Sequence, residues 1–248
     1  MGVTKTDFVR GMQCPKMLWL DRHKPELREI PLEVQDKLDR GNEFGDRMMG
    51  MFGPYVEVKE YYPGTKWPDK RRMAAKTAEL LAEGTPIICE AAFMDENGNY
   101  CAVDILRWNF QDHCYDMYEV KNAPEISDRF IQDAAFQAYL VRKTGLPLGR
   151  VFLVYHGEEP YDIAEITKKV QQYLPWVSEN IGRLGQIKDQ AEEYNCAMGV
   201  HCACPYECWY YGYCREISKQ RVQSSGDSQE VPEISRESQE LPEILGNS

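Results

Sequence analysis

The chain has 248 residues, 43% of them apolar, which is enough for one sizeable hydrophobic core. Its net charge of −11 excludes a broadly basic nucleic-acid coat, though not a local basic groove. No apolar run approaches the roughly 20 residues of a membrane span, and "MGVTKTDFVRGMQ" lacks the apolar heart of a secretory signal, so a cytoplasmic protein without membrane contact is expected.

The predicted elements, in chain order, begin with a helical stretch, "TDFVRGMQCPKMLWLDR", with Thr6 as N-cap and a restart at Pro15 after Cys14. "LEVQDKLDRGNEFGDRMMGMF" has a helical rhythm through Leu38, Gly45, Met48, Met49 and Phe52. "WPDKRRMAAKTAELLAEG" is a further helix from Pro68 to Gly84. Then the pattern becomes that of strands. "TPIICEAAF" and "YCAVDILRW" flank Asn97-Gly98, a strong hairpin signal, and "CYDMYEVKN" is a third strand. "SDRFIQDAAFQAYLVRKTG" is an amphipathic helix capped by Ser127 and stopped at Gly145. "RVFLVYH" is another strand, and a long helix fills roughly 165–195. The expected class is mixed α/β: helices first, a helix–three strands–helix–strand core, and a Cys-rich C-terminal segment. Residues 1–221 form one domain. Residues 222–248 carry six acidic groups against one Arg, repeat "SQEVPEI" as "SQELPEI", and read as a disordered acidic tail.

Three carboxylates interrupt apolar strands: Glu90 in the first, Asp104 in the second and Glu119 in the third. In "YEVKN", Glu119 and Lys121 stand two apart and so share a face. Unpaired, three buried carboxylates repel and raise one another's pKa; a divalent cation relieves this, and oxygen donors suit Mg²⁺ or Mn²⁺. For any one of them alone, a salt bridge at a sheet end is the competing account.

"AVDIL" followed by "YEVKN", within this element order, resembles the Asp…Glu-x-Lys signature of the PD-(D/E)XK nuclease superfamily. Cys14 in "QCPKMLWL" and the group in "HCACPYECWYYGYC" resemble the split cysteine pattern of its RecB-type members, the CRISPR-associated RecB-like exonucleases and iron–sulfur helicase-nucleases. The resemblance covers residues 4–215. It implies a metal-dependent DNA exonuclease acting on single-stranded or free ends in repair, recombination or CRISPR adaptation, with a helicase or adaptation protein as partner. It assigns metal ligation to Asp104, Glu119 and the Val120 carbonyl, with Glu90 completing the site. Lys121 would orient the attacking water. Gln137, in "AFQAYL", would stand for a Gln-x-x-x-Tyr motif whose Tyr is displaced here, since Tyr139 follows at two residues. Relatives also carry a metal-binding His; Glu43 is the nearest replacement, or an exposed helix carboxylate. The chain has no GxxxxGK[ST] loop for an ATP motor.

The nine cysteines, an odd count, do not suggest a disulfide framework. Cys89, Cys101 and Cys114 read as small buried apolar residues. Cys202, Cys204, Cys208 and Cys214 can hold zinc locally. The resemblance implies instead a 4Fe–4S cluster on Cys14, Cys202, Cys208 and Cys214, clipping the two ends together; Cys204 departs from that pattern, and Cys196 is a weaker candidate. Arg10, Lys16, "RHK" (22–24) and "KWPDKRR" (66–72) are local cations, and Trp209, Tyr210, Tyr211 and Tyr213 either stack on bases or pack around the cluster. The rival from another class is a non-catalytic nucleic-acid-binding or scaffold protein with the same fold and a Cys-metal site.

Overall fold

The computed structural model describes residues 2–30, 32–61, 69–157 and 160–225; the expected Pro68 helix start, the first part of the 66–72 basic run and positions 226–248 of the expected tail lie outside them. Among the described residues, seven α-helices surround one six-stranded mixed sheet. Helix α1 (Lys5–Gln13) starts at Thr4 rather than at the expected Thr6. Thr4 and Asp7 form a reciprocal capping box, each side chain bonding the other's backbone N–H, which Thr6, already inside the first turn, has no free partner to make. Cys14 ends α1 in an extended conformation and Pro15 opens α2 (Pro15–His23), as the X-Pro geometry demands.

Helices α3 (Leu32–Met49) and α4 (Lys70–Ala82) follow, with the short strand β1 (Val56–Glu57) between them. The core then runs β2 (Ile87–Met94), β3 (Tyr100–Asn109), β4 (Cys114–Lys121), α5 (Asp128–Lys143) and β5 (Leu148–Tyr155), the expected helix–three strands–helix–strand order with α4 in front. Gly98 turns the β2–β3 hairpin at φ +78°, a conformation cheap for glycine. Ser127 is the N-cap of α5, though its side chain makes no capping bond. Strand β6 (Asp162–Glu165) and helix α7 (Tyr211–Ser225) were not foreseen, and α6 (Thr167–Asp189) ends earlier than expected. Strands as short as β1 and β6 carry too few residues to show alternation.

The strand order is β1-β2-β3-β4-β5-β6; β3 runs antiparallel to both β2 and β4, and α5 carries the chain across to a β5 parallel to β4. Alternation then sorts side chains to two faces. Leu106, Met117 and Leu153 lie in the larger core with Phe8 of α1, Phe136 and Leu140 of α5 and Leu184 of α6. Ile105, Tyr118 and Val154 point the other way, into a cluster with Phe44, Met48 and Met49 of α3. Each such fully buried side chain contributes about 2 kcal/mol of transfer free energy.

The N-terminal residues dock on the hairpin. Val3 N–H donates to Asn99 Oδ1 at 2.8 Å, Tyr100 N–H to the Val3 carbonyl at 3.0 Å, and Thr4 bridges Tyr100. A Cβ on Gly2 would stand 1.9 Å from the Gly98 oxygen, so the approach needs glycine there. This docking fixes where α1 begins.

Candidate functional site

Strand register brings the three carboxylates together. Cys89 pairs Ile105, and Ile105 pairs Tyr118. One step past these pairs stand Glu90, Asp104 and Glu119 of β2, β3 and β4, outside the ladder bonds but close enough for their charges to act on one another. Alternation puts Asp104 and Glu119 on the face of Leu106 and Met117, toward α1 and α5. The row coincides with two breaks in regularity. Glu90 sits at φ +52° and drops out of the β2–β3 ladder, a conformation that costs a non-glycine residue on the order of 1–3 kcal/mol. The β3–β4 ladder ends at Tyr118, and Asp104 Oδ2 then accepts the Val120 N–H at 2.6 Å in place of a backbone carbonyl.

Glu119 is fully buried and lies at the centre of the network. Lys121 Nζ is 2.7 Å from its Oε1 and 2.7 Å from Asp133 Oδ2 on α5. Gln137, also on α5 and fully buried, donates to Glu119 Oε2, and its own Oε1 has no hydrogen-bond partner. Lys5, the first residue of α1, reaches the same Oε1 at 3.1 Å. The sequence reading missed Lys5, which lies 114 residues from Glu119 and carries no local signal.

Electrostatics divides the row. Burial alone would raise Glu119, but Lys121, Lys5 and the hydrogen bonds from Lys121 and Gln137 outweigh it and hold the carboxylate ionised. Asp104 is pushed up to about 7, first by burial and then by the charge of Glu119, with Lys5 offsetting only part. Glu90 is raised too, mainly by burial, against the pull of Lys5 and Lys59. Lys5 keeps its proton firmly: burial opposes the charge, but Glu119, Asp104 and Asp133 together outweigh burial.

Other expected residues are placed elsewhere. Tyr139 meets Ser178 on α6, at 3.4 Å between hydroxyl oxygens, rather than Glu119. Glu43 is exposed on α3, beside the buried Phe44. Arg10 lies 3.7 Å over the Trp209 ring and pairs Asp21, whose carboxylate also accepts the Tyr210 hydroxyl. Lys16 is buried and pairs Glu193, which also takes Lys24 and the Tyr213 hydroxyl. These cations and aromatics tie the C-terminal segment to α2.

They also enclose a cavity lined by Cys14, Cys196, His201, Cys202, Cys208 and Cys214. Cys14, Cys202 and Cys208 are buried there, whereas Cys204 does not line it. Burial pushes the Cys14 and Cys208 thiols up to about 12. Among the described residues, one group of three or more His, Cys, Asp or Glu has all its ligand atoms within 4.8 Å of one another: Cys14, Cys196 and His201, which can hold a metal ion. The carboxylate row does not reach that spacing. His201 was not foreseen; its signal was its place beside Cys202. Cys89 and Cys101 are buried in the core as expected, while Cys114 is only half-buried. No described helix is long and apolar enough to cross a membrane.

No family model and no curated protein matches the chain. Among solved structures it is similar to one titled "Crystal structure of SSO0001", at 12% identity over 86% of this chain and 85% of that one, with a TM-score of 0.35, a likeness too slight to carry an argument.

Proposed function

We propose that this protein is a divalent-metal-dependent DNA exonuclease of the PD-(D/E)XK type. The observation that carries the reading is the row of Glu90, Asp104 and Glu119 with Lys121 beside it. A strained backbone at Glu90 and a carboxyl held up to about 7 at Asp104 both concentrate where function is built.

The donor set fits Mg²⁺ or Mn²⁺. It offers hard carboxylate oxygens, and the repulsion that raises Asp104 is relieved by a cation. Asp104 and Glu119, with the Val120 carbonyl, would hold the ion, and Glu90 would complete the shell. When bound, the ion supplies Lewis acidity at the phosphoryl oxygen and lowers the pKa of a water ligand. The chain's own residues do the rest. Gln137 fixes one Glu119 oxygen, and the ammonium groups of Lys121 and Lys5 hold the other. Lys121, held between Glu119 and Asp133, orients the attacking water and offsets the charge growing on the phosphate. Lys5 adds a second ammonium at the same oxygen and offsets part of the row's negative charge.

In the same reading, Cys14, Cys202, Cys208 and Cys214 hold a 4Fe–4S cluster with a structural role. All four line one cavity, and they come from both ends of the domain.

The test is digestion of end-labelled single-stranded DNA with Mn²⁺ or Mg²⁺, in parallel with excess EDTA and with Glu119→Ala. Metal-dependent shortening from the ends, absent in the variant, is expected. DNA bound but left intact under every metal condition would point to the scaffold reading.

A further inference from the structure

The thiol cavity offers more ligands than a four-thiolate cluster uses, and its spacing has its own preference. Six metal-binding side chains line it. Three of them, Cys14, Cys196 and His201, place their ligand atoms within 4.8 Å of one another. Cys196 Sγ and His201 Nε2 are 3.6 Å apart. Around one tetrahedral zinc, with Zn–S near 2.3 Å and Zn–N near 2.0–2.1 Å, the S···N edge comes to about 3.6 Å. The thiolates of a 4Fe–4S cluster each bind a different iron and must stand further apart.

We propose that Cys14, Cys196 and His201 form a mononuclear zinc-type site, and that it is an alternative to the cluster in the same cavity. Cys14 belongs to both sets, so the two occupancies exclude each other. Loss of the cluster then leaves the chain ends joined through a single ion.

The surroundings support the set. Gln13, next to Cys14, donates through Nε2 to the His201 carbonyl at 2.9 Å and to the Tyr206 carbonyl at 2.7 Å. That contact fixes the loop bearing His201 against the end of α1, the outer-shell support that metal ligands commonly need. Two thiolates and a neutral imidazole balance the charge of a dication. Binding releases the thiol protons to solvent, with no oxidant or reductant required.

The proposal rests on the cavity being a metal site and is independent of the nuclease reading. The whole chain, stripped of metal by chelation under anaerobic reducing conditions, is titrated with Co²⁺ and then Zn²⁺ against a chromophoric chelator. One ion per chain is expected, with a cobalt spectrum showing both thiolate and imidazole ligation. His201→Ala and Cys196→Ser should each weaken zinc by at least about 100-fold, beyond the 10–100-fold typical of outer-shell losses. Cys214→Ser and Cys204→Ser should leave zinc affinity unchanged. Reconstituted anaerobically with Fe³⁺, sulfide and a thiol reductant that supplies the ferrous half of the cluster, His201→Ala and Cys196→Ser should still take up about four irons. That uptake also shows that these variants fold. Zinc held with parent affinity by His201→Ala and Cys196→Ser, or an S₄ cobalt spectrum, overturns the proposal and leaves the metal-site reading standing. A parent that takes up neither zinc nor iron overturns both.

Discussion

The carboxylate row and the thiol cavity are built in opposite ways. The row comes from three consecutive strands, within 30 residues of sequence, and its alignment follows from ladder register. The cavity joins Cys14 to residues 196–214, nearly two hundred positions away, through short turns and no ladder. In the row, paired strands supply most of the frame, and the carboxylates repel one another. In the cavity, the side chains are what the backbone is organised around. A charge removed from the row should therefore cost chemistry and spare the fold, whereas a ligand removed from the cavity should cost stability and spare the chemistry.

The sharpest way to break this comparison is Glu119→Ala. On the proposed nuclease reading, DNA cleavage should fall by about 10²–10³-fold, the scale of losing one preorganised charge-stabilising group. The circular dichroism spectrum should stay that of the parent. Digestion at the parent's rate removes Glu119 from the chemistry.

Cys14→Ser tests the other region. A metal clip across so long a loop removes roughly 5 kcal/mol of unfolded-chain entropy, by analogy with a disulfide. At about 2–4 °C per kcal/mol for a domain of this size, the metal-loaded protein should lose about 10 °C or more in Tm. Cleavage well below the melting range should persist. An unchanged Tm with metal still bound would leave Cys14 out of the clip.

Gln137→Ala sits between the two. It frees one Glu119 oxygen without touching the ion's ligands, so a 10–100-fold loss of activity or Mn²⁺ affinity is expected, as for other outer-shell partners. Isothermal titration with Mn²⁺ separates the two effects.

The smallest effect is a gain. Asp104 carries a pKa raised from 3.8 to about 7, so the folded state binds its proton more tightly than the unfolded chain. Its contribution to stability is full below about pH 4 and is lost as pH rises to about 7. In EDTA, Asp104→Asn should then melt a few degrees above the parent at pH 8, with the two converging near pH 4. A difference independent of pH would show that repulsion in the row is not its source. The same variant should be inactive, which makes the row a place where stability is given up for metal binding.

Wherever a signal repeats locally, the sequence was enough. The alternation of β2, β3 and β4, the Asn97-Gly98 hairpin and the Pro15 restart are each set by neighbours within a few residues, and all are found in the structure. Glu90, Asp104 and Glu119 stood out for the same reason, as charges interrupting apolar strands. The face that Glu119 and Lys121 share follows from a period of two. Their mutual proximity, by contrast, needed the ladders.

What the tertiary structure alone decided is which distant groups meet. Lys5 reaches Glu119 because Gly2, Val3 and Thr4 dock on the hairpin and set the start of α1. The exchange of Cys204 for Cys196 and His201 at the cavity depends on how the 196–208 loop is tied to Gln13. Tyr139 turns toward α6 because only one face of α5 meets the sheet. Such contacts join segments with no common period and no shared neighbours. The physical reason is that they depend on the path of the folded chain, which is fixed by burial and docking summed over the whole domain rather than by any stretch of residues.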